Sequence, residues 1–73
     1  MNKGNKEQVQ ELLYVWISNF DKRSLESIKQ NCDYLNEIYH LELRNPIWGI
    51  FWPLVFNGVI DHVGNGFYAL SEP

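Results

Sequence analysis

Residues 54–71 read Leu54-Val55-Phe56-Asn57-Gly58-Val59-Ile60-Asp61-His62-Val63-Gly64-Asn65-Gly66-Phe67-Tyr68-Ala69-Leu70-Ser71, and the order of residue types in this stretch decides the fold. Leu54, Val55 and Phe56 end an apolar run. Gly58 follows at the position where a helix commonly turns left-handed and stops. Val59 to Val63 and Phe67 to Leu70 are then two β-prone runs separated by Gly64-Asn65-Gly66. Glycine takes positive φ at little cost and asparagine tolerates it, so the stretch predicts a tight hairpin. Either Asn65-Gly66 turns alone or all three residues form the loop. The three-residue loop is favoured, because it puts Ile60, Tyr68 and Leu70 together on the core side.

Upstream, Asn45-Pro46 is the sharpest helix start in the chain, combining an N-cap side chain with a proline suited to a first helical position. A third helix is predicted over Ile47 to Asn57, with a kink or split near Trp52 because Pro53 lies inside it. Before it, Lys6 to Phe20 predicts a first helix, with Val9, Leu12, Leu13, Trp16 and Phe20 as its buried face. Phe20 to Arg23 is a polar break. Ser24 then caps a second helix that buries Leu25, Ile28 and Cys32. Tyr34, Leu35, Ile38 and Tyr39 either extend that helix or form another turn behind a cap at Asp33. His40 to Arg44 reads as an extended connection. Leu13, Trp16, Leu25, Ile28, Leu54, Ile60, Tyr68 and Leu70 are the predicted core.

The C-terminal pattern resembles the end of a winged-helix (winged helix-turn-helix) domain. In that family a third helix closes with Leu-x-x-x-Gly-x-Ile, and a β-wing follows that ends in Tyr-x-Leu-Ser/Thr. Leu54, Gly58, Ile60, Tyr68, Leu70 and Ser71 match position by position. The resemblance covers the last twenty or so residues closely, and the earlier helices by order and length. It implies an α+β fold, a three-helix domain with a C-terminal two-stranded wing, and a single domain over residues 1–73. The stop at Ser71-Glu72-Pro73, just after a strand, suggests one module of a longer bacterial-type protein. Winged helices serve as DNA readers and as protein-docking modules alike.

Charge separates those two roles. The 73-residue chain carries 6 Lys plus Arg against 9 Asp plus Glu, a net charge of −3. After Arg44 it has no cation at all, and its only formal charges there are Asp61 and Glu72. DNA affinity rests largely on cationic contacts to phosphate, which the expected reading helix and wing lack. Composition excludes further classes. One cysteine, Cys32, allows no internal disulfide and no Cys-based zinc cluster. The longest apolar run, Ile47 to Phe56, holds Gly49 and Pro53 and is about half a bilayer span. A polar opening lacks a signal peptide's apolar centre, so a cytoplasmic protein is predicted.

No catalytic constellation emerges. Cys32 reads as a buried thiol, His62 as a wing surface residue, and His40 and His62 lack the carboxylate pattern of a metal site. Glu7, Glu11, Glu37 and Glu42 read as solvated helix faces. Gly64-Asn65-Gly66 leads into a strand and not into a helix N-terminus, so it is no phosphate loop. No enzyme activity, cofactor or metal is expected. What stands out is the third helix. Ile47, Ile50, Phe51 and Leu54 form one apolar stripe, while Trp48, Trp52 and Phe56 form a second at four-residue steps. Either both stripes are core, or the second is partly exposed and docks a protein partner or another domain of the same chain, with a homodimer as one form. The expectation is that at least one of Trp48, Trp52 and Phe56 stays exposed.

Overall fold

Asn5 opens the first helix by accepting the Gln8 amide at 2.7 Å, and the computed structural model describes the chain from there over residues 5–71. Helix α1 (Lys6–Ser18) buries Val9, Leu13 and Ile17, a strict four-residue stripe. The predicted face is therefore rotated. Leu12 and Phe20 are exposed and Trp16 is only half-buried, while Ile17 takes a core position. The reason is that α1 ends at Ser18, so Phe20 no longer shares its face. Phe20 instead covers one side of the Arg23 guanidinium, 3.8 Å from the ring centre, and Trp16 lies over it at 3.9 Å. Arg23 also donates to the Trp16 carbonyl through Nη2 at 2.8 Å, tying off the end of α1.

Arg23–Ser24 form a short strand, β1. Ser24 is also the N-cap of α2 (Leu25–Ile38), accepting the Ser27 amide at 3.2 Å as its sequence position predicts. Helix α2 is continuous through Asp33, which closes the alternative of a second cap there. It buries Ile28, Cys32 and Leu35. It ends in a complete Schellman motif: the His40 amide donates to Glu37 and the Leu41 amide to Asn36. His40 occupies the left-handed position at φ 53°, and Glu42 follows at 60°. The connection is thus coiled back on itself and not extended as predicted. The Asn36 side chain fixes it, accepting the Leu43 amide at 2.9 Å and donating to the Leu43 carbonyl at 3.3 Å.

The third helix is split where Pro53 predicts a break. A π-helical turn, Ile47–Phe51, runs into α3, Trp52–Phe56. At its start Asn45 contributes its main-chain carbonyl, accepting the Trp48 and Gly49 amides, and the side-chain cap that the sequence predicts does not form. Gly58 at φ 77° closes α3 with a second Schellman motif, in which Gly58 donates to Val55 and Val59 to Leu54.

Strands β2 (Ile60–Gly64) and β3 (Phe67–Leu70) form the hairpin. Its loop is the two-residue Asn65-Gly66 turn, not the favoured three-residue one. A bulge between His62 and Gly64 compensates for the missing residue, so Ile60 faces Leu70 and His62 faces Tyr68. The predicted core-side grouping of Ile60, Tyr68 and Leu70 survives the different turn.

The two-stranded wing is corrected in one respect. The sheet has three antiparallel strands in the order β1-β3-β2, with Arg23 opposite Tyr68 and the Leu25 amide donating to Gly66 at 2.8 Å. Two residues are too few to show strand alternation, which is why β1 is invisible in the sequence. Leu13, Ile28, Ile60 and Tyr68 of the predicted core are buried, whereas Trp16, Leu25, Leu54 and Leu70 are half-buried and packed against it. Ile50 and Phe51 fill the centre beside them. Among the described residues no helix is long and apolar enough to cross a membrane.

Candidate functional site: an aromatic face on the third helix

The two stripes of the third helix have different fates. Ile50 and Phe51 are buried, with Ile47 and Leu54 half-buried beside them. In the other stripe Trp48 keeps 59% of its surface exposed and Phe56 72%, while Trp52 is half-buried. The expectation of an exposed aromatic on this helix is met at two positions.

These rings are not scattered. Trp48 and Trp52 have their centroids 5.5 Å apart, and Phe56 stands 6.3 Å from each of them. Each ring of the stripe therefore touches the other two. Trp52 is the root of the group. Its ring meets Phe51 at 5.0 Å and Tyr68 of β3 at 5.8 Å, the second contact nearly perpendicular at 89°. Phe51 and Tyr68 meet edge to face at 5.1 Å, at the centre of the core. Such edge-on pairs add about 0.5–1.5 kcal/mol each beyond the area they bury. The exposed rings thus rest on a buried aromatic base, which fixes their positions at low cost in side-chain entropy. His62 of β2 lies beside Tyr68, ring centres 4.9 Å apart, and stays exposed.

Two supports hold this helix in place. Gln10 of α1 donates its side-chain amide to the Ile50 carbonyl at 3.1 Å, at the junction between the π turn and α3. Leu43, pinned by Asn36, packs against Gly49 so closely that a Cβ there would lie 2.8 Å from Leu43 Cδ1. Sequence reasoning did not find Phe51 or Tyr68 as partners of the stripe, nor Gln10 and Asn36 as supports of the helix that carries it. These contacts come from distant positions or from the opposite stripe, and helical spacing carries no signal of them.

The remaining candidate residues do not converge. Cys32 is buried in α2, where burial, and secondarily the neighbouring Asp33 charge, pushes its thiol up from 9.0 to about 12. A thiol held that high is not ionised near neutral pH and is a poor nucleophile. His40 sits exposed at the end of α2, and His62 on the hairpin. Among the described residues no three His, Cys, Asp or Glu side chains group as metal ligands.

Two of the six cations lie against aromatic rings. Arg23 lies between Trp16 and Phe20, and the Lys22 ammonium sits 4.7 Å above the Phe67 ring. Among the described residues, the only formal charge from Asn45 onward is Asp61, exposed on β2. The third helix accordingly brings aromatic surface and no charge of its own. Comparison with protein-family models, characterised proteins and solved structures returns no match.

Proposed function

We propose that this chain is a non-catalytic, winged-helix-type module that docks a protein surface, on a partner or elsewhere in its own polypeptide, through Trp48, Trp52 and Phe56. One observation carries the proposal: two large aromatic rings stay mostly exposed while locked, through Trp52, onto a buried aromatic base. Interfaces concentrate their energy in rigid aromatic anchors of this kind, because little conformational entropy is lost when they are covered. Exposing them without a partner brings a standing tendency to associate. Support for the winged-helix assignment comes from the order of three helices and a C-terminal hairpin, closed by Gly58 and with Tyr68 in the core.

The alternative role of that fold, duplex DNA recognition, gains nothing from this surface. The third helix and hairpin present no Lys or Arg, and two of the six cations are spent on aromatic rings.

The test is selection of ligands from a displayed peptide library on the wild-type chain and on Trp48→Ser/Phe56→Ser. Binders that lose affinity at least tenfold on the double variant support docking at this face. Denaturant unfolding of the two single variants should stay within about 0.5 kcal/mol of wild type each, the range for surface changes. Selected binders indifferent to both substitutions, or variants that unfold, would remove the aromatic face as the docking site.

A further inference from the structure

The stripe Trp48, Trp52, Phe56 has a geometry that an ordinary helix does not provide. In an uninterrupted α-helix each four-residue step overshoots a full turn by about 40°, so the first and last side chains diverge by about 80° and rise about 12 Å apart. Yet the Trp48 and Phe56 rings are 6.3 Å apart, and each is in contact with Trp52. The cause lies in the backbone between them. Over Ile47–Phe51 the chain is wound as a π-helix, and the Trp52 amide donates to Ile47, five residues back, where an α-helix would have it donate to Trp48. This wider turn takes up the overshoot in the first step, so Trp48 comes back over Trp52.

Proline is the reason the helix slips at this point. Pro53 has no N–H to give to the Gly49 carbonyl, and its ring would crowd that same carbonyl in an α-helix. Moving the hydrogen bonds one residue further back relieves the crowding, while the N–H that proline lacks stays missing in either winding. Gln10 accommodates the result by donating to the Ile50 carbonyl at 3.1 Å, and Gly49 leaves room for Leu43 against the widened turn.

We infer that Pro53 is the positioning residue of the aromatic face: it holds the π-helical turn, and that turn brings Trp48 onto Trp52 and Phe56. The geometric statement stands by itself, while its value for docking rests on the function proposed above. A Pro53→Ala chain can continue the α-helix, which turns Trp48 by roughly 40° relative to Trp52.

The experiment reads the two indoles directly. Closely paired tryptophans give an exciton couplet in ultraviolet circular dichroism, and Trp48→Phe identifies which part of the spectrum belongs to the pair. Pro53→Ala is expected to unfold cooperatively and to lose that couplet. A couplet of unchanged size in a folded Pro53→Ala chain would overturn the inference. Should Pro53→Ala not fold, the wild-type chain decides by NMR scalar coupling across the hydrogen bond of the Trp52 amide. Coupling to the Ile47 carbonyl supports the π turn, and coupling to the Trp48 carbonyl overturns it. Because both readouts use the free protein, they separate a failure of this inference from a failure of docking, which the peptide selection detects.

Discussion

At the scale of single residues, Cys32 shows how burial becomes a property of the whole fold. The thiol is enclosed in the core, and its pKa rises from 9.0 to about 12. The unfolded chain therefore loses this proton first as the pH rises. The native state gains nothing from the group below its unfolded pKa, and stability falls by about 1.4 kcal/mol per pH unit between that value and the folded one. Urea unfolding of the wild type between about pH 7.5 and about pH 10.5 should show about 2 kcal/mol more loss than Cys32→Ala shows over the same interval. Equal losses would mean that the thiol is free to ionise in the native state. The comparison with Cys32→Ala isolates the thiol from every other contribution to the pH dependence.

At the scale of elements, the helix ends are where this chain stores and avoids strain. Two Schellman motifs of the same bonding pattern end α2 and α3, one with Gly58 at the left-handed position and the other with His40. An L-residue pays roughly 1–2 kcal/mol for that conformation, and glycine gives back about 0.5–1 kcal/mol through its more flexible unfolded state. His40 is exposed, so its side chain has little packing to lose. His40→Gly should then raise stability by about 0.5–1 kcal/mol, measured as an increase in the urea midpoint at constant slope. A decrease would show that the imidazole makes a stabilising contact. The same element view explains the hairpin. A two-residue turn with a bulge and a three-residue loop without one bring the same pairs together from His62 outward. The sequence distinguishes the faces because only one pairing buries Ile60 and Tyr68, and it is silent on which turn achieves it.

At the scale of the whole molecule, charge is distributed unevenly along the chain and the aromatic face lies in its cation-free part. Residues 45–73 hold none of the 6 basic groups and 2 of the 9 acidic ones. A labelled duplex titrated at low and at physiological salt should show no binding tighter than micromolar at physiological salt. Micromolar or tighter binding that weakens steeply with salt would instead count displaced counterions and point to a phosphate-binding surface built from residues 1–44.

Much of this architecture is local, and what is local was legible. Ser24 caps α2, Gly58 ends α3, Pro53 breaks the third helix, and the chain reverses into a hairpin within Gly64-Asn65-Gly66, although by the shorter of the two turns those residues allow. In each case the signal is a steric or hydrogen-bonding property of one residue and its close neighbours, which no distant contact needs to complete. Alternation and helical spacing likewise marked Ile28, Ile60 and Tyr68 as core. Tertiary structure decided the rest. Helical spacing could not choose Ile17 over Leu12, because both lie on an apolar side of α1 and only the position of the sheet and the third helix determines which is covered. Nor could it supply β1, whose two residues become a strand only when β3 lies beside them. Above all, it could not divide the apolar surface of the third helix. Whether Trp48 and Phe56 were core or surface depended on how far the hairpin and α1 reach around that helix. They reach Phe51 and half of Trp52, and they stop there.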